Sequence, residues 1–173
     1  MRATRLMVTA FCVATLFACS CRAEAVAEFH TKEVSSEHGY GYIAYATDGY
    51  LQNERIVVLA IGKTNVPYGS NNFYFYKIQI IQPEERPLDI RRVILSSEYS
   101  SVSFEAPNPP IRDVGTEIVD DRLVSFDTGK VNKVILDISQ SLRIRIITRQ
   151  NQYCDFYASP EFIDCLKKVA NWS

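Results

Sequence analysis

The sequence is poor in the residue types that carry most enzyme chemistry. Its two histidines, His30 and His38, have a spacing that fits no metal-ligand motif. There is no Gly-x-Ser-x-Gly segment and no glycine-rich phosphate loop. A nucleophile needs an activating base within reach, and only a carboxylate or these two histidines would supply one. These absences argue against a common hydrolase or a nucleotide-dependent enzyme, and we predict neither a metal nor a cofactor.

The chain also lacks an excess of charge of either sign. Its formal net charge is −1, and removal of residues 1–27, with three basic residues and one acid, changes it to −3. The bulk charge therefore gives no reason to expect nucleic acid or an anionic membrane as a partner. Outside the N-terminal region, no run of apolar residues approaches the roughly 20 that a membrane-spanning helix needs.

The N-terminal residues have the layout of a secretory signal peptide. Two basic residues, Arg2 and Arg5, precede an uncharged, mostly apolar run of 14 residues from Leu6 to Cys19. Small residues follow, with Ala25 and Ala27 placed as cleavage positions. We therefore predict a signal peptide over 1–27 and a single β-rich domain over 28–173, located in the periplasm or secreted.

An alternative is an outer-membrane lipoprotein. Residues 16–19 (LFAC) resemble a lipobox, in which cleavage before Cys19 leaves that cysteine lipidated. Cysteine counting favours the first cleavage, since cutting near Ala25 or Ala27 leaves only the pair Cys154 and Cys165, whereas cutting before Cys19 leaves Cys21 as an odd thiol.

The remaining cysteine pair predicts a disulfide. Cys154 precedes the expected last helix, and Cys165 lies on the apolar face of that helix. In an oxidising compartment a bridge would tie the helix to the preceding strand and stabilise the fold by about 2–3 kcal/mol. The alternative is a pair of buried thiols.

Alternating runs rich in Tyr, Phe, Ile and Val predict strands. Tyr40–Thr47 and Arg55–Ile61 form a first hairpin, with Asp48-Gly49 as its turn. The strongest pattern, Phe73–Gln82, ends at a proline-containing segment that does not fit a central strand. Further strands are predicted at 90–95, 101–105, 123–126, 142–149 and 153–157.

Two helices are predicted. Lys130–Ser141 places apolar residues at helical spacing, although its β-branched content leaves a strand open. The C-terminal helix has Ser159 as N-cap and Pro160 at its first position. The expected fold class is therefore mainly β or α+β, an antiparallel β-sandwich with one or two short helices, the last at the C-terminus.

A binding surface is predicted from aromatic and basic residues. Because residues alternate along a strand, some of the tyrosines in the first strands are expected to be exposed, and Arg143 and Arg145 share one face of their strand. Exposed tyrosine beside arginine is typical of protein-binding hot spots. Alternatively, the tyrosines belong to the core and the arginines pair with carboxylates. The tyrosines concerned are Tyr40, Tyr42, Tyr74 and Tyr76.

Two other functions remain open. Glu117, Asp120, Asp121 and Asp127 form an acidic cluster that would serve an envelope hydrolase if the side chains converged in a cleft. Coplanar exposed tyrosines would suit a carbohydrate-binding module.

The last third of the chain resembles two groups of periplasmic proteins, the invasion-associated locus B type and the type VI secretion accessory proteins of the VasI type. The shared layout is RLVSF from Arg122, KVNKVILDIS, LRIRIIT, and then CDFYASPEFIDCLKKVANW. The resemblance implies a bacterial envelope protein with a sandwich fold and a binding or accessory role. Our leading hypothesis is a non-enzymatic envelope protein that binds another envelope or secreted protein, as a secretion accessory factor, an inhibitor or an immunity protein.

Overall fold

The computed structural model contains two antiparallel sheets and two helices, which confirms the predicted fold class. The structure describes residues 27–36, 39–52, 55–68, 71–83, 89–106, 112–114 and 117–173. The elements are β1 (Glu28–Ser36), β2 (Gly39–Gln52), β3 (Arg55–Tyr68), β4 (Asn71–Pro83), β5 (Ile90–Ser96), β6 (Ser101–Glu105), β7 (Arg112–Val114), β8 (Glu117–Ser125), α1 (Thr128–Leu136), β9 (Arg143–Thr148), β10 (Tyr153–Tyr157) and α2 (Pro160–Asn171).

The larger sheet, sheet A, is a meander of long strands in the order β1-β2-β3-β4-β8-β7. The register aligns one inward-facing row across four strands, in which Ala46 lies opposite Ile61, Ile61 opposite Ile78, and Ile78 opposite Leu123. All four are fully buried. This inner face receives both helices, because α2 packs on β1, β2 and β3 while α1 packs on β4.

The smaller sheet, sheet B, has the order β10-β9-β5-β6. Its strands alternate between a buried face and a face open to solvent, a pattern that is complete in β6 and β9. Buried residues from both sheets and both helices belong to one hydrophobic cluster. The second face of sheet B is thereby left outside the core.

Helix α1 begins earlier and ends earlier than predicted. Asp127 caps its N-terminus by accepting a hydrogen bond from the backbone N–H of Lys130 at 2.9 Å. The helix ends at Leu136. The N–H groups of Asp137 and Ile138 still bond to helix carbonyls, but the next three, those of Ser139, Gln140 and Ser141, donate to the Glu98 carboxylate in the β5–β6 turn. A carboxylate remote in sequence thus ends a helix that the apolar pattern alone would continue.

Helix α2 has the predicted N-terminus, with the Ser159 hydroxyl accepting from the Phe162 N–H at 3.1 Å. Sheet A holds both ends of this helix. Ser159 Oγ donates to the buried carboxylate of Asp48 at 3.2 Å, and Lys63 Nζ donates to the Ala170 and Trp172 carbonyls at 3.3 and 2.6 Å. An anion at the N-terminus and a cation at the C-terminus both stabilise the helix through their interaction with its dipole. Burial lowers the pKa of Lys63.

The prediction that Asp48-Gly49 forms the first hairpin turn was wrong. β2 continues through both residues to Gln52, which pairs with Arg55 at the start of β3. The two segments do pair as a hairpin, as predicted, and their pairing extends beyond Asp48-Gly49 to Gln52 and Arg55. The Asp48 side chain accepts from the Gly49 N–H at 2.9 Å, and its other oxygen binds Ser159 of α2. The acidic side chain that suggested a turn instead anchors the last helix.

The structure holds Cys154 and Cys165 as thiols, so the predicted disulfide is not formed in it. The two sulfur atoms contact different carbonyl oxygens: Cys154 Sγ lies 4.0 Å from Ile146 O in sheet B, and Cys165 Sγ lies 3.9 Å from Ala27 O. Burial raises the pKa of Cys165, which disfavours the thiolate needed for disulfide exchange. Formation of the bridge in an exported, oxidised protein stays a prediction.

Candidate binding surfaces

The predicted tyrosine surface is partly a core. Tyr76 is fully buried on the inner face of sheet A, and its hydroxyl donates to Asn132 Oδ1 of α1 at 2.5 Å. Burial raises the pKa of Tyr76 well above its ordinary value, so the phenol stays protonated. Tyr76 therefore joins β4 to α1 and is not available to a partner, which corrects its assignment to a binding surface.

Exposure of the tyrosines rises toward one end of the same sheet face. Tyr74 is half-buried, with Asn65 Nδ2 donating to its hydroxyl at 3.3 Å and Lys63 Nζ lying 5.2 Å from its ring centroid. Tyr42 lies one strand beyond Asn65 and is 51% exposed. Tyr40 lies in β2 opposite Ser35, but its side chain is outside the described residues. Of the predicted tyrosines that the structure describes, only Tyr42 is freely accessible.

Arg143 and Arg145 lie on the solvent-facing side of β9, while Ile144 and Ile146 are buried, as predicted. This strand belongs to sheet B, whereas Tyr42, Tyr74 and Tyr76 lie on the inner face of sheet A. The structure therefore does not bring the tyrosines and the arginines of the predicted binding surface together, and a role of either group in binding stays a prediction.

The arginines are instead surrounded by residues of their own sheet. We call this surface, the solvent-facing side of sheet B, the arginine–tyrosine face. Pairing across the strands sets it out in three rows. The rows are Tyr153–Ile147–Arg92–Glu105, Asp155–Arg145–Ile94–Ser103 and Tyr157–Arg143–Ser96–Ser101.

Arg145 is held rigidly within this face. Its Nε and Nη2 atoms each donate to one oxygen of Asp155 at 2.7 Å, and its guanidinium carbon lies 4.3 Å from the ring centroid of Tyr153. The hydrogen bonds to Asp155 raise the pKa of Arg145, and those from Arg145 lower the pKa of Asp155. A bidentate pair with a stacked ring fixes the guanidinium plane, so this part of the face is preorganised.

The other two arginines differ in their partners. Arg92 Nε lies 2.5 Å from Glu105 Oε1 across the sheet. The Nε atoms of Arg92 and Arg143 are both buried without a hydrogen bond, but Arg92 has its ion pair with Glu105, whereas none of the described carboxylates forms an ion pair with Arg143. Arg143 is the one arginine of this face whose charge is not matched by a carboxylate contact within the described part of the chain.

Sequence reasoning missed the two tyrosines that lie beside the arginines. Tyr153 and Tyr157 are 64% and 56% exposed at the two ends of the edge strand β10. The signal was present, since Tyr153–Tyr157 was predicted as a strand, and alternation in a strand puts both tyrosines on the face opposite buried Phe156. Only the pairing of β10 with β9 shows that they neighbour Arg143 and Arg145.

A second aromatic cluster lies on the outer face of sheet A, the face away from the helices. Phe73 and Phe126 are 50% and 67% exposed, and both contact Phe75. The ring centroids of Phe73 and Phe126 are 5.8 Å apart. This cluster contains no charged residue, and so it offers contact area without a feature that selects a partner.

The acidic cluster behind the hydrolase hypothesis is not assembled by the described side chains. Asp127 is the N-cap of α1, while Glu117, Asp120 and Asp121 lie in β8 with side chains outside the described residues. That hypothesis therefore stays a prediction. Among the side chains that the structure describes, no group of three or more His, Cys, Asp or Glu residues is placed to hold a metal ion.

His30 has a local partner on the edge strand β1. Its Nε2 atom lies 2.9 Å from Glu28 Oε2, and its ring stacks on Tyr45 with centroids 5.0 Å apart. His38 lies outside the described residues, as do the predicted signal peptide and Cys19. None of the helices in the described ranges is long and apolar enough to cross a membrane.

Neither protein-family models, nor curated proteins, nor solved structures provide a match to this chain.

Proposed function

We propose that this chain is a non-enzymatic protein-binding domain of the bacterial envelope, and that it binds its partner through the arginine–tyrosine face. The observation that carries the proposal is the juxtaposition of two exposed tyrosines, Tyr153 and Tyr157, with Arg143 and Arg145 on one face of a sheet. Tyrosine and arginine are, with tryptophan, the residue types enriched at protein-binding hot spots.

Rigidity of the face supports the same proposal. The side chain of Arg145 is fixed by Asp155 and Tyr153 before any partner arrives, so little conformational entropy is lost on binding. β10 is also an edge strand of sheet B, so a partner reaches its tyrosines from the side as well as from above. The resemblance of residues 122–172 to periplasmic accessory proteins is consistent with this role.

Site-specific photocrosslinking in the cell envelope tests the proposal. A photoreactive residue at position 157 should crosslink to the partner, whereas one at Lys130, which is exposed on α1, should not. With the partner identified, Tyr157→Ala and Tyr153→Ala should each weaken binding by about tenfold or more, the effect typical of hot-spot residues.

Phe126→Ala is the matched control, because it removes an equally exposed aromatic side chain from the other sheet. Loss of binding in Phe126→Ala or Tyr42→Ala, with Tyr153→Ala and Tyr157→Ala unchanged, would place the interface on sheet A and refute the proposal.

A carbohydrate-binding module is the second candidate function. Tyr153 and Tyr157 project from one face of one strand, about 13 Å apart along it. A glycan array should then give hits that both tyrosine-to-alanine variants abolish. An array without hits would exclude this candidate.

For the location, we propose export through the signal peptide over 1–27, with an outer-membrane lipoprotein lipidated on Cys19 as the alternative. The intact mass of the exported protein distinguishes cleavage after Ala25 or Ala27 from cleavage before an acylated Cys19. The same measurement reports the disulfide, because a bridge between Cys154 and Cys165 removes two hydrogen masses.

A further inference from the structure

The arginine–tyrosine face carries an unbalanced positive charge at one end. It contains three arginines and two carboxylates, and each carboxylate already contacts an arginine: Glu105 contacts Arg92, and Asp155 contacts Arg145. The surplus charge belongs to Arg143, which forms no ion pair with any described carboxylate, although its charge contributes to the lowered pKa of Asp155 in the neighbouring row.

The other residues of the Arg143 row have hydroxyl groups. Tyr157 lies on one side of Arg143, and Ser96 followed by Ser101 lies on the other. The nearest remaining carboxylate in sequence to this row, Glu98, already accepts hydrogen bonds from three backbone N–H groups of the chain after α1. The row therefore combines one unmatched guanidinium with three hydroxyl groups, which are donors suited to a carboxylate.

We propose that the Arg143 row is a carboxylate-binding subsite, and that it binds an aspartate or glutamate side chain of an acidic polypeptide partner. The two Nη atoms of the guanidinium supply two parallel N–H donors to the two carboxylate oxygens, and the hydroxyls of Ser96 and Tyr157, on the two neighbouring strands, donate to the remaining lone pairs. Arg145 contributes positive charge from the adjacent row but stays bound to Asp155. This inference rests on the proposed function, because the acidic residue belongs to the partner that covers the same face.

An acidic peptide with blocked ends, pentaglutamate, is the probe. It is titrated at low salt into the isotope-labelled protein purified from the envelope after expression of the full chain, and pentaglutamine serves as the neutral probe. Pentaglutamate should shift the amide resonances of Ser96, Ser101, Arg143 and Tyr157, while pentaglutamine should leave them in place. Absence of shifts on this face would overturn the proposal.

Substitutions separate the subsite from general charge attraction. Arg143→Gln should weaken pentaglutamate binding by about tenfold, the effect of one charge-assisted hydrogen-bonded pair. Arg143→Lys, which keeps the charge but loses the planar pair of donors, should bind at an intermediate level. Arg91→Gln is the matched control, because Arg91 is exposed, binds Asn151, and lies outside the three rows. Equal loss of binding in Arg91→Gln and Arg143→Gln would refute the subsite.

Two further comparisons identify the class of ligand and distinguish failure of the subsite from failure of the proposed function. Inorganic phosphate that shifts the same resonances as strongly as pentaglutamate would show a general anion site and overturn the assignment to an acidic polypeptide. If Arg143-dependent peptide binding persists while the crosslinked partner ignores Tyr153→Ala and Tyr157→Ala, the proposed interface fails and the subsite stands. If the partner depends on both tyrosines but pentaglutamate does not bind, the subsite alone fails.

Discussion

The tyrosines of β4 and those of β10 have opposite roles in the same fold. Tyr74 and Tyr76 alternate with Phe73 and Phe75 along β4, yet the tyrosines face the helices and the phenylalanines face outward. On β10 the order is reversed: Phe156 is buried, and the two tyrosines are exposed.

The difference lies in what each strand faces. The inner face of β4 meets α1, where Asn132 accepts the Tyr76 hydroxyl, so this buried phenol has a hydrogen-bond partner. The inner face of β10 belongs to the apolar cluster, and Phe156 fits there without any polar atom to satisfy. A tyrosine in a strand is thus buried or exposed according to whether the core offers an acceptor for its hydroxyl.

The largest expected effect is that of Tyr76→Ala. Removing a fully buried aromatic side chain leaves a cavity and an unpartnered Asn132, so the free energy of unfolding should fall by about 3–5 kcal/mol. Urea unfolding followed by circular dichroism measures it. Tyr76→Phe, which keeps the ring, should lose only about 1–2 kcal/mol. If Tyr76→Ala lowered the free energy of unfolding by less than Tyr157→Ala does, the proposed contrast between β4 and β10 would be wrong.

A smaller effect is expected for Lys63→Met. Lys63 faces inward on β3 and lies opposite Tyr76 of β4. The substitution removes the cation and the hydrogen bonds at the C-terminus of α2, and the free energy of unfolding should fall by about 1–2 kcal/mol. The amide exchange rates of α2 give a second measurement, since its last turn should exchange faster than in the parent protein. Unchanged exchange in that turn would show that Lys63 does not hold the helix end.

In sheet B, the hydrogen bonds that Glu98 accepts from the chain after α1 predict that the free energy of unfolding depends on pH. The backbone N–H of Ser141, with that of Gln140 and of Ser139, lowers the pKa of Glu98 from 4.5 to about 2. Because the folded-state pKa lies below the unfolded value, Glu98 stabilises the fold above about pH 4.5, and this contribution is lost as the pH falls toward 2.

Glu98→Gln should therefore lower the urea midpoint at pH 7, and the difference from the parent protein should shrink between pH 5 and pH 3. Glu33→Gln is the control, because it replaces an exposed glutamate of β1 that has neither a backbone N–H partner nor an ion pair among the described contacts. A difference that stays constant over this pH range would contradict the prediction.

The smallest expected effect on stability is that of Tyr157→Ala. Its side chain is 56% exposed on an edge strand, so the free energy of unfolding should change by no more than about 0.5 kcal/mol. Tyr153→Ala should cost slightly more, because its ring stacks on Arg145. Denaturant unfolding of both variants completes the comparison with Tyr76→Ala. A large loss in Tyr157→Ala would mean that this tyrosine is structural, and the proposed interface would lose its main support.

Local sequence patterns predicted elements best where one face of the element is uniformly apolar. β6 and β10 have the predicted bounds, and the cap and first position of α2 are those expected from Ser159 and Pro160. The predictions fail where a side chain forms its decisive contact with a residue that is distant in the sequence. Asp48 has the chemistry of a turn residue, but Ser159 of α2 binds its carboxylate, and Glu98 ends α1 from a turn that lies about forty residues earlier in the chain.

The candidate site was only half predictable for a similar reason. Alternation placed Arg143 and Arg145 on one face and buried the isoleucines between them. It also separated the tyrosines of β4 from its phenylalanines, but a period of two residues does not say which set faces the core. Strand order, which is a long-range property, then brought Tyr153 and Tyr157 rather than Tyr42 or Tyr74 beside the arginines.

By itself, the sequence determined that this protein has an antiparallel β-rich fold that ends in a C-terminal helix. Periodicity and helix caps, which indicate these features, depend on residues close together in the chain. The tertiary structure decided which aromatic residues are buried, which carboxylates bind backbone or helix ends, and which arginine has no carboxylate partner on its face. These outcomes depend on contacts between residues far apart in sequence, such as Tyr76 with Asn132 and Lys63 with the end of α2. A hydrogen-bond partner that comes from another layer of the fold leaves no mark on the local pattern.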